Sequence, residues 1–405
     1  MAPAVVVVTL TLLLGIQPIS TDLYLPTLPT LQRELGASVA GVQLTLSALI
    51  ICFGLGQLVC GPLADRFGRR PVLIGGMALY TIASMFGAMS QSIETLVVWR
   101  ALQGTAMAAA VTCGRSIVRD LYQPAEGARV MSRSLGGLGV IAMLAPALGG
   151  VLVQWLSWHA ALMATALYGA GTLIFLALRF TETLPQRNLQ AIRPDQVLRN
   201  WAAVLGHPTF RAWTLLLCCT WGGLFFMLAG SSFVFINVLG TSRIAYGLIL
   251  ASFSCAYIVG TFACRRLLLR HGLRGAAGRG ALFSLAGGIG MALLSLAGVQ
   301  AVWAIVLPQL LFGFGHGIHQ PCGQSGVVGP FPEKAGTAAS VSGFAMMLTA
   351  FGISLWLGRT SALGALPVTL GVGACSLLLA LVAWTLVQRH GEPHRAALQP
   401  VPSSS

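Results

Sequence analysis

Long apolar runs alternate with short polar segments along the whole chain. Each run covers about 20 residues, which is the length of a helix that crosses the hydrocarbon core of a bilayer. Strands of a membrane barrel would instead alternate in character over about ten residues. The pattern therefore predicts an all-α integral membrane protein with twelve spans, at about 5–25, 43–63, 72–90, 95–115, 134–155, 159–178, 212–236, 245–264, 280–299, 302–323, 337–358 and 365–387.

The longest polar connection, residues 179–211, divides these spans into two sets of six. We therefore expect an N-terminal half at 1–178, a cytoplasmic linker at 179–211, a C-terminal half at 212–387 and a cytoplasmic tail at 388–405. The polar composition of the tail predicts disorder. A short match between residues 59–66 and 258–265 predicts that the halves are internal repeats with an offset of 199 residues.

Composition excludes a soluble protein. Hydrophobic residues make up 56% of the chain, charged residues only 8%, and the mean hydropathy is +0.81, whereas soluble domains carry about 25% charged residues. The nine cysteines lie in apolar stretches without CxxC spacing. They therefore predict packing roles, without a zinc site or disulfide framework. The apolar start of the chain lacks basic residues, and we interpret it as the first span.

The net charge of +14 follows from where the basic residues lie. With a cytoplasmic N-terminus, twenty Lys and Arg fall in cytoplasmic loops, three fall in outer loops, and Arg100 lies within a span. Basic residues concentrate in cytoplasmic loops of membrane proteins, where they face anionic lipids. Both termini are therefore predicted to be cytoplasmic, and the positive charge does not indicate a nucleic-acid partner.

The loop between spans two and three reads GPLADRFGRRP from Gly61 to Pro71. Its glycines permit a tight turn, and its aspartate can pair with the arginines around it. A generic basic turn is the alternative. The candidate residues are Gly61, Asp65, Arg66, Gly68, Arg69 and Arg70.

Two spans in the first half carry charge. Arg100 and Gln103 share one face of span four, and a guanidinium within a membrane helix needs a partner or a wet cavity. The alternative is an arginine that reaches the interface.

Asp22 is the one acid within a span. Burial favours its neutral form and a nearby arginine favours its carboxylate, as a proton carrier requires. The alternative is a structural cap at the outer helix end.

Span five contains Gly139, Pro146, Gly149 and Gly150. Proline removes a backbone donor and bends the helix, and glycines allow neighbouring helices to approach closely. Generic packing of small residues is the alternative.

Span ten carries His316, His319 and Gln320 close together. We weigh structural packing against a role in substrate contact or pH sensing. A metal site is a weak third alternative, because a third ligand is missing nearby. The candidate residues for a substrate cavity between the halves are Thr11, Gln103, Trp221, Phe225, His316, His319 and Gln320.

These motifs resemble those of the major facilitator superfamily. The loop at Gly61 is similar to its G-x-L-a-D-r-x-G-r-[RK] signature, Arg100 begins a stretch similar to R-x-x-q-G, and span five resembles the antiporter motif, with Ala145 where the family has glycine. The resemblance implies that the loop clamps the halves together at the cytoplasmic side. It also implies that Arg100 lines the central cavity and influences proton uptake.

Further motifs resemble the Bcr/CflA (bicyclomycin-resistance) group of drug:proton antiporters. These stretches lie at residues 22–26 (DLYLP), 115–121 (RSIVRDL) and 336–340 (GTAAS). The resemblance implies a twelve-helix exporter in which Asp22 binds the proton and Arg100 tunes it.

The sequence thus predicts proton-coupled export of small molecules, such as multidrug efflux, across the bacterial inner membrane. A phosphate-binding GxxxxGK[ST] loop is absent from the sequence, so we expect the proton gradient to supply the energy, with no cofactor and no catalysis. The expected partners are a small-molecule substrate, protons and lipid, and the expected state is a monomer. A dedicated exporter of one metabolite, such as a siderophore, is the alternative. A membrane-bound enzyme is a remote one.

Overall fold

The chain folds into long helices. The computed structural model describes residues 1–122, 124–184, 186–331, 334–360 and 364–392, except for the side chains at 124, 125, 128 and 132. No strand occurs among these residues. The helices are α1 Pro3–Thr21, α2 Leu28–Glu34, α3 Val39–Phe67, α4 Arg69–Ala88, α5 Ile93–Leu121, α6 Pro124–Trp155, α7 Trp158–Arg179, α8 Pro194–Gly206, α9 Pro208–Ser232, α10 Arg243–Leu296, α11 Val302–Val328, α12 Ala335–Thr360, α13 Leu366–Trp384 and α14 Leu386–His390.

The described helices supply the twelve predicted spans. Eleven helical stretches are long and apolar enough to cross a membrane, and one of them, α10, has 54 residues. Gly272 interrupts α10 with φ 65° and ψ −176°, a conformation that glycine adopts easily. Residues 243–271 (α10a) and 273–296 (α10b) are therefore separate spans. Spans one to six are α1 and α3–α7, and spans seven to twelve are α9, α10a, α10b, α11, α12 and α13.

Several helices extend beyond the apolar runs that predicted them. The eighth span was expected to end near residue 264, but α10a continues for two more turns through an arginine-rich segment. A helix can leave the bilayer without ending, because its hydrogen bonds lie within the helix itself. Hydropathy marks where the membrane ends and not where the helix ends.

The polar segments also contain helices that their composition did not predict. Helix α8 lies within the linker at 179–211, and α14 covers the start of the tail. The indole of Trp213 donates to the carbonyl of Gly391 at 2.9 Å, which ties the end of α14 to α9. The predicted disorder of the tail concerns mainly residues 393–405, which lie outside the described residues.

The halves repeat each other, but the predicted offset of 199 residues is wrong. Helices α3 and α10 begin at Val39 and Arg243, and a glycine with positive φ follows α3 at Gly68 and α10a at Gly272. The two helix starts are 204 residues apart, and so are the two glycines. At this offset the residue equivalent to Asp65 is Leu269, which is 90% exposed. The second half therefore lacks the acid of the first loop.

Close helix crossings confirm this offset. Gly56 of α3 packs against Thr105 and Ala108 of α5. The equivalent Gly260 of α10a packs against Phe314 and Gly317 of α11, each 209 residues further along. Small residues at equivalent positions let the helices of both halves cross closely. The predicted offset of 199 rested on a short match of residue types, and such a match does not show where the helices cross.

The two halves meet along two helix pairs, α3 with α12 and α6 with α10a. One end of the bundle carries the loop at 66–70, α8 and α14, and we call it the arginine-rich face. The opposite face carries the connections at 35–38, 89–92, 156–157, 239–242 and 297–301.

Candidate functional site

Arg100 lies inside the first half. Its side chain is 1% exposed, which excludes the alternative of an arginine that reaches the interface. Nη1 donates to Oε1 of Gln103 at 2.6 Å, and Nη2 donates to the carbonyl of Ser20 at 2.9 Å. The guanidinium also lies 4.1 Å from the ring centre of Tyr24. Helix α5 thus places a charge against the end of α1, where its hydrogen bonds and the aromatic face stabilise it.

Two predicted cavity residues lie elsewhere in this conformation. Gln103 is buried between helices of the first half, and its amide donates to Ser84 of α4 at 2.7 Å. Thr11 packs against Gly137 of α6 and donates to the carbonyl of Ser134 at 3.3 Å. In this conformation both side chains join helices within one half, so their lining of a central space stays a prediction.

Asp22 is the C-cap of α1 and is partly exposed. Its carboxylate accepts a hydrogen bond of 2.7 Å from the hydroxyl of Thr21. Among the described residues no Lys, Arg or His nitrogen lies within 4.0 Å of it. Arg100 contacts the backbone two residues away, at Ser20. The acid and the arginine therefore share one helix end without forming a direct ion pair.

The span-five motif lies where α6 meets α10a, close to the opposite face. A Cβ atom at Gly150 would lie 2.5 Å from the carbonyl oxygen of Arg243. A Cβ atom at Gly247 would lie 2.6 Å from the carbonyl oxygen of Pro146. The two halves are thus in backbone contact here, which requires glycine at both positions.

The other two motif glycines differ in their surroundings. Gly149 packs against the carbonyl of Leu23, directly after Asp22. Gly139 is less tightly packed, since a Cβ atom there would lie 3.4 Å from the side chain of Ile258. Pro146 and Gly150 therefore form the tight part of the contact between the halves, whereas Gly149 packs within the first half.

A buried polar cluster closes the second contact between halves, α3 with α9 and α12. The amide of Gln43 donates to the carbonyl of Ala229 at 2.6 Å. The hydroxyl oxygens of Ser47 and Ser354 lie 2.6 Å apart, and Ser354 also donates to Oε1 of Gln43 at 3.3 Å. The sequence pattern did not predict this cluster, although a glutamine within an apolar run is a usable signal. The opposite face is thus closed on both sides of the molecule.

The predicted charge network around the loop at Gly61–Pro71 joins helices of one half only. The guanidinium of Arg69 pairs with Asp65 at 2.7 Å and with Asp120 at 2.9 Å. These residues belong to α3, α4 and α5. Gly61 is the motif residue that faces the other half, because a Cβ atom there would lie 3.9 Å from the hydroxyl of Ser340 in α12. In this conformation no described ion pair of the loop joins the two halves, so the clamp stays a prediction for another conformation.

Glu182 completes the turn at this loop. Gly68 has φ 109°, and the carboxylate of Glu182 accepts the backbone N–H groups of Arg69 and Arg70 at 2.9 and 3.1 Å. Burial raises the pKa of Glu182, but the hydrogen bonds from four backbone N–H groups lower it further, so the net pKa lies below its usual value. A carboxylate at the start of α4 is also favoured by the helix dipole.

The remaining arginines of the loop face outward. Arg70 donates from Nε to the carbonyl of Phe180 at 2.9 Å, which holds the end of α7. Arg66 lies 5.5 Å from the ring centre of Phe67. Both stabilise the local turn instead of reaching the second half.

The two histidines of span ten have different surroundings. His316 is buried, its Nδ1 lies 2.8 Å from the hydroxyl of Thr220, and its ring lies 6.0 Å from Trp221 and 5.5 Å from Tyr257. His319 lies between α11 and α10b, with Nε2 3.1 Å from the carbonyl of Ala277. The structure therefore supports packing for His319, whereas His316 belongs to an aromatic cluster of α9, α10a and α11.

Trp221 and Gln320 are partly exposed beside this cluster, whereas Phe225 is buried. Nε1 of Trp221 and Oε1 of Gln320 are buried atoms without a hydrogen-bond partner among the described residues. Buried polar atoms without partners are costly, so they mark positions where a ligand or water can bind.

Comparison with known proteins agrees with this architecture. The family profile described as Major Facilitator Superfamily matches residues 10–357. The chain belongs to the Major Facilitator Superfamily. It is 27% identical to Multidrug resistance protein D of Escherichia coli (strain K12) over 383 residues, 93% of each chain. It is 29% identical to a chloramphenicol resistance protein of Pseudomonas aeruginosa over 330 residues, 79% of this chain and 75% of that one.

A solved structure agrees as well. The crystal structure of a D-xylose-proton symporter aligns with a TM-score of 0.75 at 16% identity, covering 95% of this chain and 99% of that one. This likeness shows the fold. The superfamily member described here is therefore a transporter of small molecules and not an enzyme. It is a multi-pass protein of the bacterial inner membrane.

Proposed function

We propose that this transporter exports small molecules, drugs among them, in exchange for protons, with Asp22 as the proton acceptor. The observation that carries the proposal is the setting of Asp22: a partly exposed acid at the end of a membrane span, without a cation in ion-pair range among the described residues. Such an acid can be neutral or charged, and its form can follow the proton gradient. The names of the two relatives support drugs as substrates.

Asp22 also lies where a proton can control the conformation. The next residue, Leu23, packs against Gly149 at the contact between α1 and α6. Gly150 touches the other half at Arg243. A charge at Asp22 is therefore two contacts away from the closed opposite face. Protonation removes the cost of burying this charge, so the proton favours the conformation in which the acid is most enclosed.

Arg100 holds this helix end in place. Its bonds to Ser20 and Gln103 join α1 to α5, which fixes the backbone two residues before Asp22. We assign the arginine-rich face to the cytoplasm, because basic loops lie on that side of bacterial membranes. The closed opposite face is then periplasmic, and substrate enters from the cytoplasm between the halves of one chain. The proposed unit is a monomer for this reason.

The test is Asp22→Asn, which removes the proton site and preserves the shape. We expect proton-driven efflux from proteoliposomes to fall to the rate without a gradient. Exchange of labelled for unlabelled substrate across the membrane, which needs no net proton movement, should persist. Glu94→Gln is the matched control, because Glu94 is an exposed acid at the start of α5. Gradient-driven efflux at the wild-type rate in Asp22→Asn would remove Asp22 from the mechanism.

A panel of unrelated drugs separates the two kinds of exporter. A multidrug transporter should move several of them, whereas a dedicated exporter should move few or none. The same proteoliposomes can be used for the Asp22→Asn measurement and for the drug panel.

A further inference from the structure

Arg115 is a second arginine within α5, four helical turns beyond Arg100 and close to the arginine-rich face. It is partly exposed and has no hydrogen bond or ion pair among the described residues. An arginine at this depth requires water or an anion. The mechanism proposed above does not use it.

The neighbours of α5 define where Arg115 points. Thr112 contacts Gly61 of α3 on one side, and Gly114 contacts Leu13 of α1 on the other, at 3.7 and 3.5 Å from the ideal Cβ positions of the glycines. Successive residues turn by 100° around a helix. Arg115 therefore projects between α1 and α3, toward the space that the second half faces.

Nearby acids are already engaged. Asp120, on the same helix, pairs with Arg69, as does Asp65. Arg69 is buried, both carboxylates are held at this cation, and neither forms an ion pair with Arg115 among the described residues. The guanidinium of Arg115 consequently presents its donors to the space between the halves.

The facing wall belongs to the second half. By the repeat offset of 209 residues between α5 and α11, the equivalent of Arg115 is Gln324, a partly exposed amide. Gln320 lies one turn away on α11, and Trp221 on α9 presents an indole with an unpartnered N–H. This wall offers an aromatic face and neutral donors, and it carries no acid among the described residues.

We propose that the space between the halves binds aromatic molecules that carry an anionic group, with Arg115 receiving the anion and Trp221 the ring. A guanidinium binds a carboxylate or sulfonate through two parallel hydrogen bonds, and an indole face stacks on a planar ring. Only the direction of transport in this assignment rests on the proposed export function.

The experiment compares two probes that differ in charge and little in shape, 1-naphthoate and 1-naphthamide. Equilibrium dialysis measures their binding to the purified full-length protein in detergent. We expect wild type to bind naphthoate roughly tenfold more tightly than naphthamide, the effect of one charge-assisted pair. Arg115→Gln should abolish this preference and keep the affinity for naphthamide.

Arg133→Gln is the matched control, because Arg133 is an exposed arginine of the same half, and it should keep the preference. Arg115→Lys keeps the charge without the two-pronged geometry, so it should lose naphthoate affinity several-fold. This variant decides the matter if Arg115→Gln does not fold.

Three results would overturn the assignment: equal binding of the two probes by wild type, no binding of either, or an unchanged preference in Arg115→Gln. Wild-type naphthoate affinity in Arg115→Lys would contradict the two-pronged contact. Because binding is measured without a gradient, these results leave proton-coupled export to be judged by Asp22→Asn alone.

Discussion

The two halves of the molecule share their backbone packing and differ in their side chains. Gly104 packs against Leu49 in the first half, and Gly313 packs against Phe253 at the equivalent crossing in the second. Four residues before each glycine, the first half has Arg100 and the second has Gln309. Both side chains are buried, and Nε of Arg100 and Oε1 of Gln309 both lack a partner among the described residues, but Arg100 also donates two hydrogen bonds from Nη1 and Nη2. The shared fold fixes where small residues are needed and leaves the polar chemistry free to diverge.

The contacts between the halves show the same contrast. At one contact Gly247 approaches the backbone of Pro146, and the equivalent positions at the other contact are Gln43 and Ser354, which hydrogen bond. One contact is thus closed by shape and the other by polar groups. The charged side chains within the spans, Asp22 and Arg100, lie in the first half. The second half instead has an aromatic cluster around His316.

The largest expected effect tests the contrast between Arg100 and Gln309. Arg100→Gln makes the first half resemble the second. We expect a loss of about 2–3 kcal/mol of stability, because the carbonyl of Ser20 and the amide of Gln103 lose a charged donor. Gradient-driven efflux should fall at least tenfold. Thermal unfolding in detergent and efflux from proteoliposomes measure the two effects.

Gln309→Met is the matched control. It replaces a poorly satisfied amide with an apolar side chain of similar size, which should leave stability and efflux unchanged or slightly raised. A larger loss in Gln309→Met than in Arg100→Gln would reverse the comparison.

The second prediction concerns the two contacts. Gln43→Ala removes the bond to Ala229 and should weaken the closed opposite face by about 1–3 kcal/mol. Gly247→Ala should have a similar effect through a clash with the backbone at Pro146. Both should increase the modification of a single cysteine placed near the opposite face, in a background without the native cysteines.

Thr349→Ala serves as the control, since its hydroxyl bonds to Ala345 of its own helix and to Cys218 of the same half, and not across the contact between the halves among the described residues. Unchanged labelling in both Gln43→Ala and Gly247→Ala would mean that neither contact holds the face closed.

The third prediction separates the two histidines. His319→Ala should lower the amount of protein in the membrane, because it removes the bond between α11 and Ala277, worth about 0.5–1.5 kcal/mol. His316→Ala should change which substrates are carried, since its ring belongs to the cluster with Trp221. An expression blot and a substrate panel distinguish the two. Equal losses for every substrate in His316→Ala, in proportion to protein amount, would assign it to packing as well.

The smallest effect concerns Glu182. Its pKa is lower in the folded protein than the usual 4.5, so its carboxylate stabilises the turn at neutral pH. This contribution is present above 4.5 and is lost as the pH falls through the lowered pKa of the folded state. Glu182→Gln should therefore slightly reduce stability at pH 7 and have no effect at strongly acidic pH. A difference that grows toward acidic pH would contradict this assignment.

The sequence by itself determined the class of protein and the number of spans. A composition with so few charges leaves lipid as the only suitable surroundings, and each span needs about 20 apolar residues, so counting runs was sufficient. The loop motif and the isolated charges Asp22 and Arg100 were visible for the same reason, since charge within an apolar run is rare. Helix ends beyond the membrane, α8 and the offset of the repeat were not visible, because hydropathy does not report them.

Only the tertiary structure decided what each polar side chain faces. Thr11, Gln103 and His319 looked like cavity residues in the sequence, but each bonds to a neighbouring helix of its own half. Arg115 was counted with the loop residues in the sequence, although it lies within α5 and is partly exposed. A helix presents its residues in every direction, and the orientation of each face depends on which helices cross it. These crossings are contacts between residues far apart in the chain, so local pattern cannot specify them.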